Sequence, residues 1–324
     1  MSDRRYPPSP AQRSHAPTVE RPARSLRTRW VVGGVACVLV AVAITAGGVI
    51  LGRHLSSPPA SPTQSNHPPA QAPTASSLPA ITNAAPSNLA ADFAQLQAQI
   101  RAPVGIAVTA VGSGQPPIAL GDLQGGSAWS TIKVPLTIAA LREENPPTVT
   151  ATMKAAITES DNAAAETIWD GLGDPIAAAH KVEAVLRESG DPTTVEFRKL
   201  RPEFTAFGQT DWSLANQAKF VASAVCDPRN APIFALMGQV VPEQSWGIGT
   251  LPGSPFKGGW GPSPTGRYLV RQIGTLTAAT GTVAVAIAVG PASGSFADGT
   301  QALTDVAQWL HDHLAALPAG NCRT

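Results

Sequence analysis

The chain has 324 residues, 43% hydrophobic and 14% charged, with a formal net charge of +1. Its charge is unevenly placed: Arg4, Arg5, Arg13, Arg21, Arg24, Arg27, Arg29 and Arg53 face only Asp3 and Glu20 within residues 1–53, a balance of +6 that leaves −5 for the rest. That mildly acidic remainder argues against nucleic acid as a partner, because phosphate binding needs a basic face.

In chain order, residues 1–29 are rich in Pro, Ser and Arg, the composition of a disordered tail. Residues 31–52, VVGGVACVLVAVAITAGGVILG, form an uncharged run of 22. At about 1.5 Å per residue, a helix of that length crosses the ~30 Å hydrocarbon core of a bilayer. Residues 30–53 are therefore expected to be a transmembrane anchor. Seven Arg precede the run, and after Arg53 the next fixed charge is Asp92. The positive-inside bias then places the N-terminus in the cytoplasm and the C-terminal bulk outside. A cleaved signal peptide is the alternative, although its apolar region is usually shorter, about 7–15 residues. Residues 54–87 hold eight Pro among Ser, Ala, Thr and Gln, with no Asp, Glu, Lys or Arg. Such a segment is an extended, semi-rigid spacer.

A globular domain is expected over 88–324. Apolar spacing at Leu89, Phe93, Leu96 and Ile100 predicts a helix over 88–100. Strands follow at 104–111 and 116–123, then a helix over 130–144. Further helices are expected at 148–159, 162–171, 174–189, 212–225 and 230–239. Strands at 256–260, 267–277 and 282–290 precede a closing helix at 297–317. Strands near both ends with helices between them predict an α/β (α+β) fold, one antiparallel sheet packed against a helical cluster. Cys226 and Cys322 fall in the exported part, where an oxidising compartment permits pairing, and the sequence leaves their geometry open.

Chemistry is suggested by three short motifs in one order. Ser130-Thr131-Ile132-Lys133 opens a predicted helix, Ser160-Asp161-Asn162 lies between helices, and Lys257-Gly258-Gly259 lies on a predicted strand. Ser and Lys at i and i+3 share a helix face, so the amine reaches the hydroxyl. Pro135 is tolerated only near a helix N-terminus, which places Ser130 in the first turn, where the dipole favours developing negative charge. A serine needs such a base to become a nucleophile. Ser160 is a candidate proton relay to a leaving nitrogen, Asn162 a candidate holder of a substrate amide, and Lys257 a source of positive charge facing the cleft. The backbone N–H groups of Ser130 and Trp260 are candidates for an oxyanion hole. Alone, each motif is weak: S-x-x-K is common by chance, SDN suits a helix cap, and KGG suits a turn. Together and in order they favour a serine acyl-enzyme.

The flanks AWSTIKVPL, AAITESDNAAAETIW and KGGWG extend the pattern. Over roughly 88–317 the chain resembles the superfamily of class A β-lactamases and penicillin-binding proteins, whose motif set is S-x-x-K, S-D-N and K-T-G. The resemblance implies a β-lactamase-like antiparallel sheet flanked by helices, plus an all-α subdomain with the site between them. It implies catalytic roles for Ser130, Lys133 and Ser160, and substrate contacts from Asn162, Lys257, Gly259, Trp260 and Arg267. Arg267, on the next strand, is weighed equally as a carboxylate ligand and as a surface arginine. The substrates implied are β-lactams or D-Ala-D-Ala-type stem peptides of peptidoglycan. No metal or cofactor is implied.

Three departures stand out. Ser130 and Ser160 are only 30 residues apart, shorter than the family interval, which implies a reduced helical subdomain. Gly258 replaces the hydroxyl residue of K-T-G, removing one hydrogen bond to a substrate carboxylate. Class A enzymes deacylate with a loop Glu and a nearby Asn, whereas 193–212 offers Glu196 and Glu203 with no Asn at the expected spacing. A catalytically degenerate module that binds peptidoglycan or a wall-synthesis partner is the alternative. Other chemistry fits less well: G-x-S-x-G does not occur, and His180, His311 and His313 lie in predicted amphipathic helices.

Overall fold

The computed structural model describes residues 87–323. The expected tail, span and most of the spacer lie outside the described residues. Among the described residues, no helix is long and apolar enough to cross a membrane.

Helix α1 (Ser87–Ile100) leads into strands β1 (Val104–Ala110) and β2 (Ile118–Gly121). A helical block follows: α2 (Lys133–Glu143), α3 (Ala151–Thr158), α4 (Asn162–Gly171), α5 (Pro175–Glu188), α6 (Leu214–Ala224) and α7 (Ala231–Met237). The chain then returns to the sheet as β3 (Phe256–Pro262), β4 (Tyr268–Ala278) and β5 (Gly281–Val289), and ends in α8 (Phe296–Asp312). The five strands are ordered β2-β1-β5-β4-β3, each neighbour antiparallel to the next. The α/β fold expected from the sequence is the fold observed.

Strand β5 shows how sequence sets the layers. In a strand, alternate side chains face opposite sides. Val283, Val285, Ile287 and Val289 join one buried cluster with Leu89, Phe93, Trp309 and Leu310 of the terminal helices. Ala284, Ala286 and Ala288 face the other cluster, which contains Leu214, Ala218 and Val221 of α6. Methyl side chains on that face let α6 lie close to the sheet. The helical block then closes around α2, in which Val134, Leu136, Ile138, Ala139 and Leu141 are all buried. A helix apolar on most of its surface belongs in a core rather than at a solvent boundary.

Element ends follow local chemistry. The third helix begins at Ala151, later than the pattern suggested, because the Thr150 side chain accepts from Met153 N and caps it there. The last helix stops at Asp312 and continues only as a 3-10 turn over Leu314–Ala316. Pro318 lies just beyond, and Gly320 is bridged to Thr282 at the sheet. Cys226 and Cys322 are disulfide-bonded, with Cα atoms 5.2 Å apart and a sequence separation of 96. The bond ties the chain end to the segment just after α6.

Candidate active site

The Ser130 turn departs from a plain helix N-terminus. Trp129–Ile132 form a 3-10 turn that runs directly into α2. Residues at i and i+3 lie on one side of a 3-10 or α-helical turn, which puts Ser130 and Lys133 on the same side of this one. Pro135 falls in the first turn of α2, where its missing N–H costs no helical hydrogen bond. Trp129 sits at φ 49°, a left-handed conformation unfavourable for a bulky residue. Its surroundings hold it there. The indole meets Phe204 edge-on at 5.1 Å, and a Cβ at Gly261 would come within 2.5 Å of the indole.

The second motif sits across from this turn. Ser160 is also left-handed, at φ 58°. Asp161 caps α4 by accepting from Ala164 N at 2.8 Å, and Asn162 begins that helix. The bend turns the Ser160 carbonyl, the Asp161 carbonyl and the Asn162 amide oxygen toward one point. Lys133 Nζ occupies it, donating to Ser160 O at 2.5 Å, Asp161 O at 3.2 Å and Asn162 Oδ1 at 2.7 Å. Burial pushes the Lys133 amine down to about 7, with the nearby Asp161 charge opposing that shift. The protonated amine would satisfy all three acceptors, and the neutral amine two of them.

The third motif arrives on β3, the edge of the sheet. Lys257 Nζ donates to Ser160 Oγ and to Gly258 O, both at 2.8 Å. Burial, and then the charge of Lys133, push the Lys257 amine well below its ordinary range. Gly259 is pressed against the Ser130 turn. A Cβ there would lie 2.9 Å from Ala128 O, Ser130 N and Thr131 N, so only glycine lets β3 pass at this distance. A Cβ at Gly258 points to the other side, 3.1 Å from the Trp246 ring.

A cleft of about 190 Å³ opens beside these groups, lined by Ser130, Asn162, Phe204, Thr205, Trp260 and Tyr268. Ser160, Lys133 and Lys257 stand behind it, joined through the hydrogen bonds above. Arg267 is not brought in. It is exposed and donates from Nη2 to Pro291 O at 3.1 Å and Ala292 O at 2.8 Å. The Trp260 ring packs against Trp246 and Phe296, with ring centres 5.9 and 5.3 Å away. Neither loop carboxylate lines the cleft. Glu196 is paired with Arg198 at 2.9 Å, and the largely exposed Glu203 with Arg201 at 3.3 Å. A larger cavity of about 450 Å³ lies near the disulfide beside Lys219 and Arg323, and no motif residue lines it.

The motif reading passes over Phe204, Thr205 and Tyr268, which stand on the cleft wall, and Arg271 behind it. Phe204 and Thr205 come from an irregular loop, where no periodicity marks direction. Arg271 had a signal: it is two residues from Ile273 on one strand, and the period of two puts both on the inward face.

No family model matches the sequence, and no curated protein matches it either. Solved structures do match. An ancestral class A β-lactamase (GNCA) superposes with TM-score 0.54 at 17% identity, covering 69% of this chain and 99% of that one. A β-lactamase from Sphaerobacter thermophilus gives TM-score 0.53 at 20% identity, covering 72% and 98%. One from Streptosporangium roseum gives 0.54 at 16%, covering 72% and 100%. The fold is that of the class A β-lactamases. Within this class A β-lactamase fold, the three motifs occupy a turn, a helix start and an edge strand that meet at a single cleft.

Proposed function

We propose that the chain is a serine acyl-enzyme hydrolase or transferase acting on β-lactams or on D-Ala-D-Ala-type stem peptides, tethered outside the cytoplasmic membrane by residues 30–53. The observation that carries this reading is the Lys133 amine. It is buried three residues after Ser130, and desolvation lowers its pKa to about 7. An amine with a pKa near the working pH is the form a general base requires.

In the first half-reaction Lys133 Nζ takes the Ser130 hydroxyl proton as Ser130 Oγ bonds to the substrate carbonyl carbon. The developing oxyanion is placed between the nucleophile turn and β3, where Ser130 N lies against Gly259. Backbone N–H groups aimed at that charge stabilise it. Ser160 Oγ accepts from Lys257, which leaves its own proton for the leaving nitrogen; the proton Lys133 took from Ser130 passes to Ser160 in its place, and Lys133 returns to the neutral amine. Breakage of the carbonyl–nitrogen bond completes the ester on Ser130. Asn162, at the cleft wall, is suited to a substrate amide.

One observation favours a second reading, a binding module that does not turn over. No carboxylate lines the cleft, and Gly258 supplies no hydroxyl. Labelling with a fluorescent penicillin decides between them. A covalent adduct on Ser130 supports the acyl-enzyme, and reversible binding of stem peptide without any adduct supports the module.

A further inference from the structure

A buried polar chain reaches the nucleophile turn from behind. Arg271 lies on β4 opposite Gly259 and is fully buried. Its Nη1 donates to the carbonyls of Gly126 at 2.7 Å and Ser127 at 2.9 Å. Its Nη2 donates to Trp212 O at 2.8 Å and to Gln217 Oε1 at 2.6 Å. Gln217, buried on α6, donates from Nε2 to Thr131 Oγ1 at 2.8 Å. Thr131 in turn donates to Ala128 O at 2.6 Å.

The direction of this chain is forced. A guanidinium only donates, so the Gln217 oxygen must face Arg271 and its NH₂ must face Thr131. The Thr131 oxygen accepts there, and its proton goes to Ala128 O. Three successive carbonyls ahead of Ser130, those of residues 126, 127 and 128, are therefore held by one network. The planar fork of arginine suits several fixed acceptors at once.

Packing alone does not explain why so many donors converge here. Trp129, between Ala128 and Ser130, is left-handed, and such conformations persist where the surroundings over-determine them. The peptide joining Trp129 to Ser130 carries the Ser130 N–H, which faces Gly259 with little slack. A small rotation of this turn would move both the N–H and the hydroxyl.

We propose that Arg271 and Gln217 are positioning residues of the acylation step, acting through Thr131 to hold Ser130 in attacking geometry. The proposal rests on the acyl-enzyme reading above.

The test uses the full chain and four variants: Thr131→Val, Thr131→Ser, Gln217→Glu and Arg271→Lys. Thr131→Val removes the hydroxyl at nearly constant volume, and Thr131→Ser restores it. Gln217→Glu keeps a partner for Arg271 but accepts from Thr131, drawing its proton away from Ala128 O. Acylation by the fluorescent penicillin should fall about 10- to 100-fold in Thr131→Val and Gln217→Glu, the scale of an ångström-sized misplacement. Thr131→Ser should remain within about threefold of the parent, and Gln217→Glu should keep its thermal midpoint, which a merely structural role would not separate from rate. Arg271→Lys, without the fork, should lose acylation as well. Hydrogen exchange at the Ala128 and Thr131 amides should quicken in Thr131→Val and Gln217→Glu, whether or not the parent is labelled. An unlabelled parent therefore sinks the acyl-enzyme reading while exchange still judges the network. Parent-like exchange in both variants, or parent-like acylation in Thr131→Val, overturns the positioning role.

Discussion

Lys257 donates to the hydroxyl oxygen of Ser160 at 2.8 Å across 97 residues of sequence. The contact joins the sheet edge to the start of α4. With Lys133 bonded to the Ser160 backbone carbonyl, two buried amines share one serine. Burial lowers both amines, Lys133 to about 7, and the charge of Lys133 lowers Lys257 further. The consequences are open to measurement.

The first concerns the nucleophile and its base. Ser130→Ala should abolish covalent labelling by a fluorescent penicillin. Lys133→Ala should slow it by about 10²–10⁴-fold, the usual contribution of a positioned base, or about 3–5 kcal/mol of barrier. An adduct that persists in Ser130→Ala would identify another nucleophile and end this mechanism.

A second consequence is a pH profile. Lys133 acts as a base only when neutral, and its pKa is lowered to about 7. Protonated Lys133 predominates below that value, so the acylation rate should rise about tenfold per pH unit up to roughly 7 and then level. Asp161 raises this pKa by its charge. Asp161→Asn keeps a capping side chain for α4 while removing the charge, so its profile should shift to lower pH. A rate indifferent to pH between 5 and 9 would show that Lys133 is not the titrating base. The linkage sign follows from the same shift. The folded amine binds its proton more weakly than the unfolded one, so between about 7 and the ordinary 10.5 the unfolded state holds more protons. Stability from this group therefore rises with pH across that window.

Much of this site was readable from the residues, and the limits are physical. The alternation of β5 and the caps at Thr150, Asp161 and Asp174 are local signals, and they set elements close to those expected. Short spacing rules mark Ser130 and Lys133 on the turn that opens α2, Ser160 just before α4, and Lys257 on β3. Arg267 and Arg271 show where such rules stop. They are four residues apart, yet Arg267 turns outward to the carbonyls of 291 and 292 while Arg271 is buried behind the Ser130 turn. The difference is set by β4 beginning at Tyr268 and by its pairing with β3, which is long-range information. The tightening of the first turn to 3-10 likewise depends on Gly261 and Phe204 closing around Trp129.

The disulfide gives a third prediction. In the chain-entropy account a loop of about 100 residues stabilises by about 4–5 kcal/mol, and this one closes over 96. Reduction, or Cys226→Ser with Cys322→Ser, should lower the melting temperature by roughly 10 °C. Ser130 labelling should survive below that temperature, because neither cysteine lines its cleft. An unchanged melting temperature would show that the 226–322 bond does not constrain unfolding.

Topology gives a fourth. With Arg-rich residues before the apolar run at 31–52, an alkaline phosphatase fused at the C-terminus should be active outside the membrane. An inactive fusion, with a cytosolic reporter active in its place, would reverse the orientation.

The last prediction concerns release of the acyl group. Acylation by the proposed mechanism requires Ser130 with Lys133, three residues apart on the turn that opens α2. Deacylation requires a water held and deprotonated beside the ester, and the cleft wall offers Phe204 and Thr205 where a carboxylate would be needed. Glu196 and Glu203 belong to the same loop, but each is committed to an arginine two residues away from it, Arg198 and Arg201 respectively. The bond from Arg198 also holds the Glu196 carboxyl below its usual range, which weakens it further as a base. Without general-base assistance the ester should persist about 10²–10⁴-fold longer. A chromogenic cephalosporin should thus give a burst of one equivalent followed by slow turnover, with the acyl adduct visible by intact-protein mass spectrometry. Rapid steady hydrolysis with no adduct would contradict this. Glu196→Gln and Glu203→Gln would then show which of the two swings inward, because that variant alone would restore the burst.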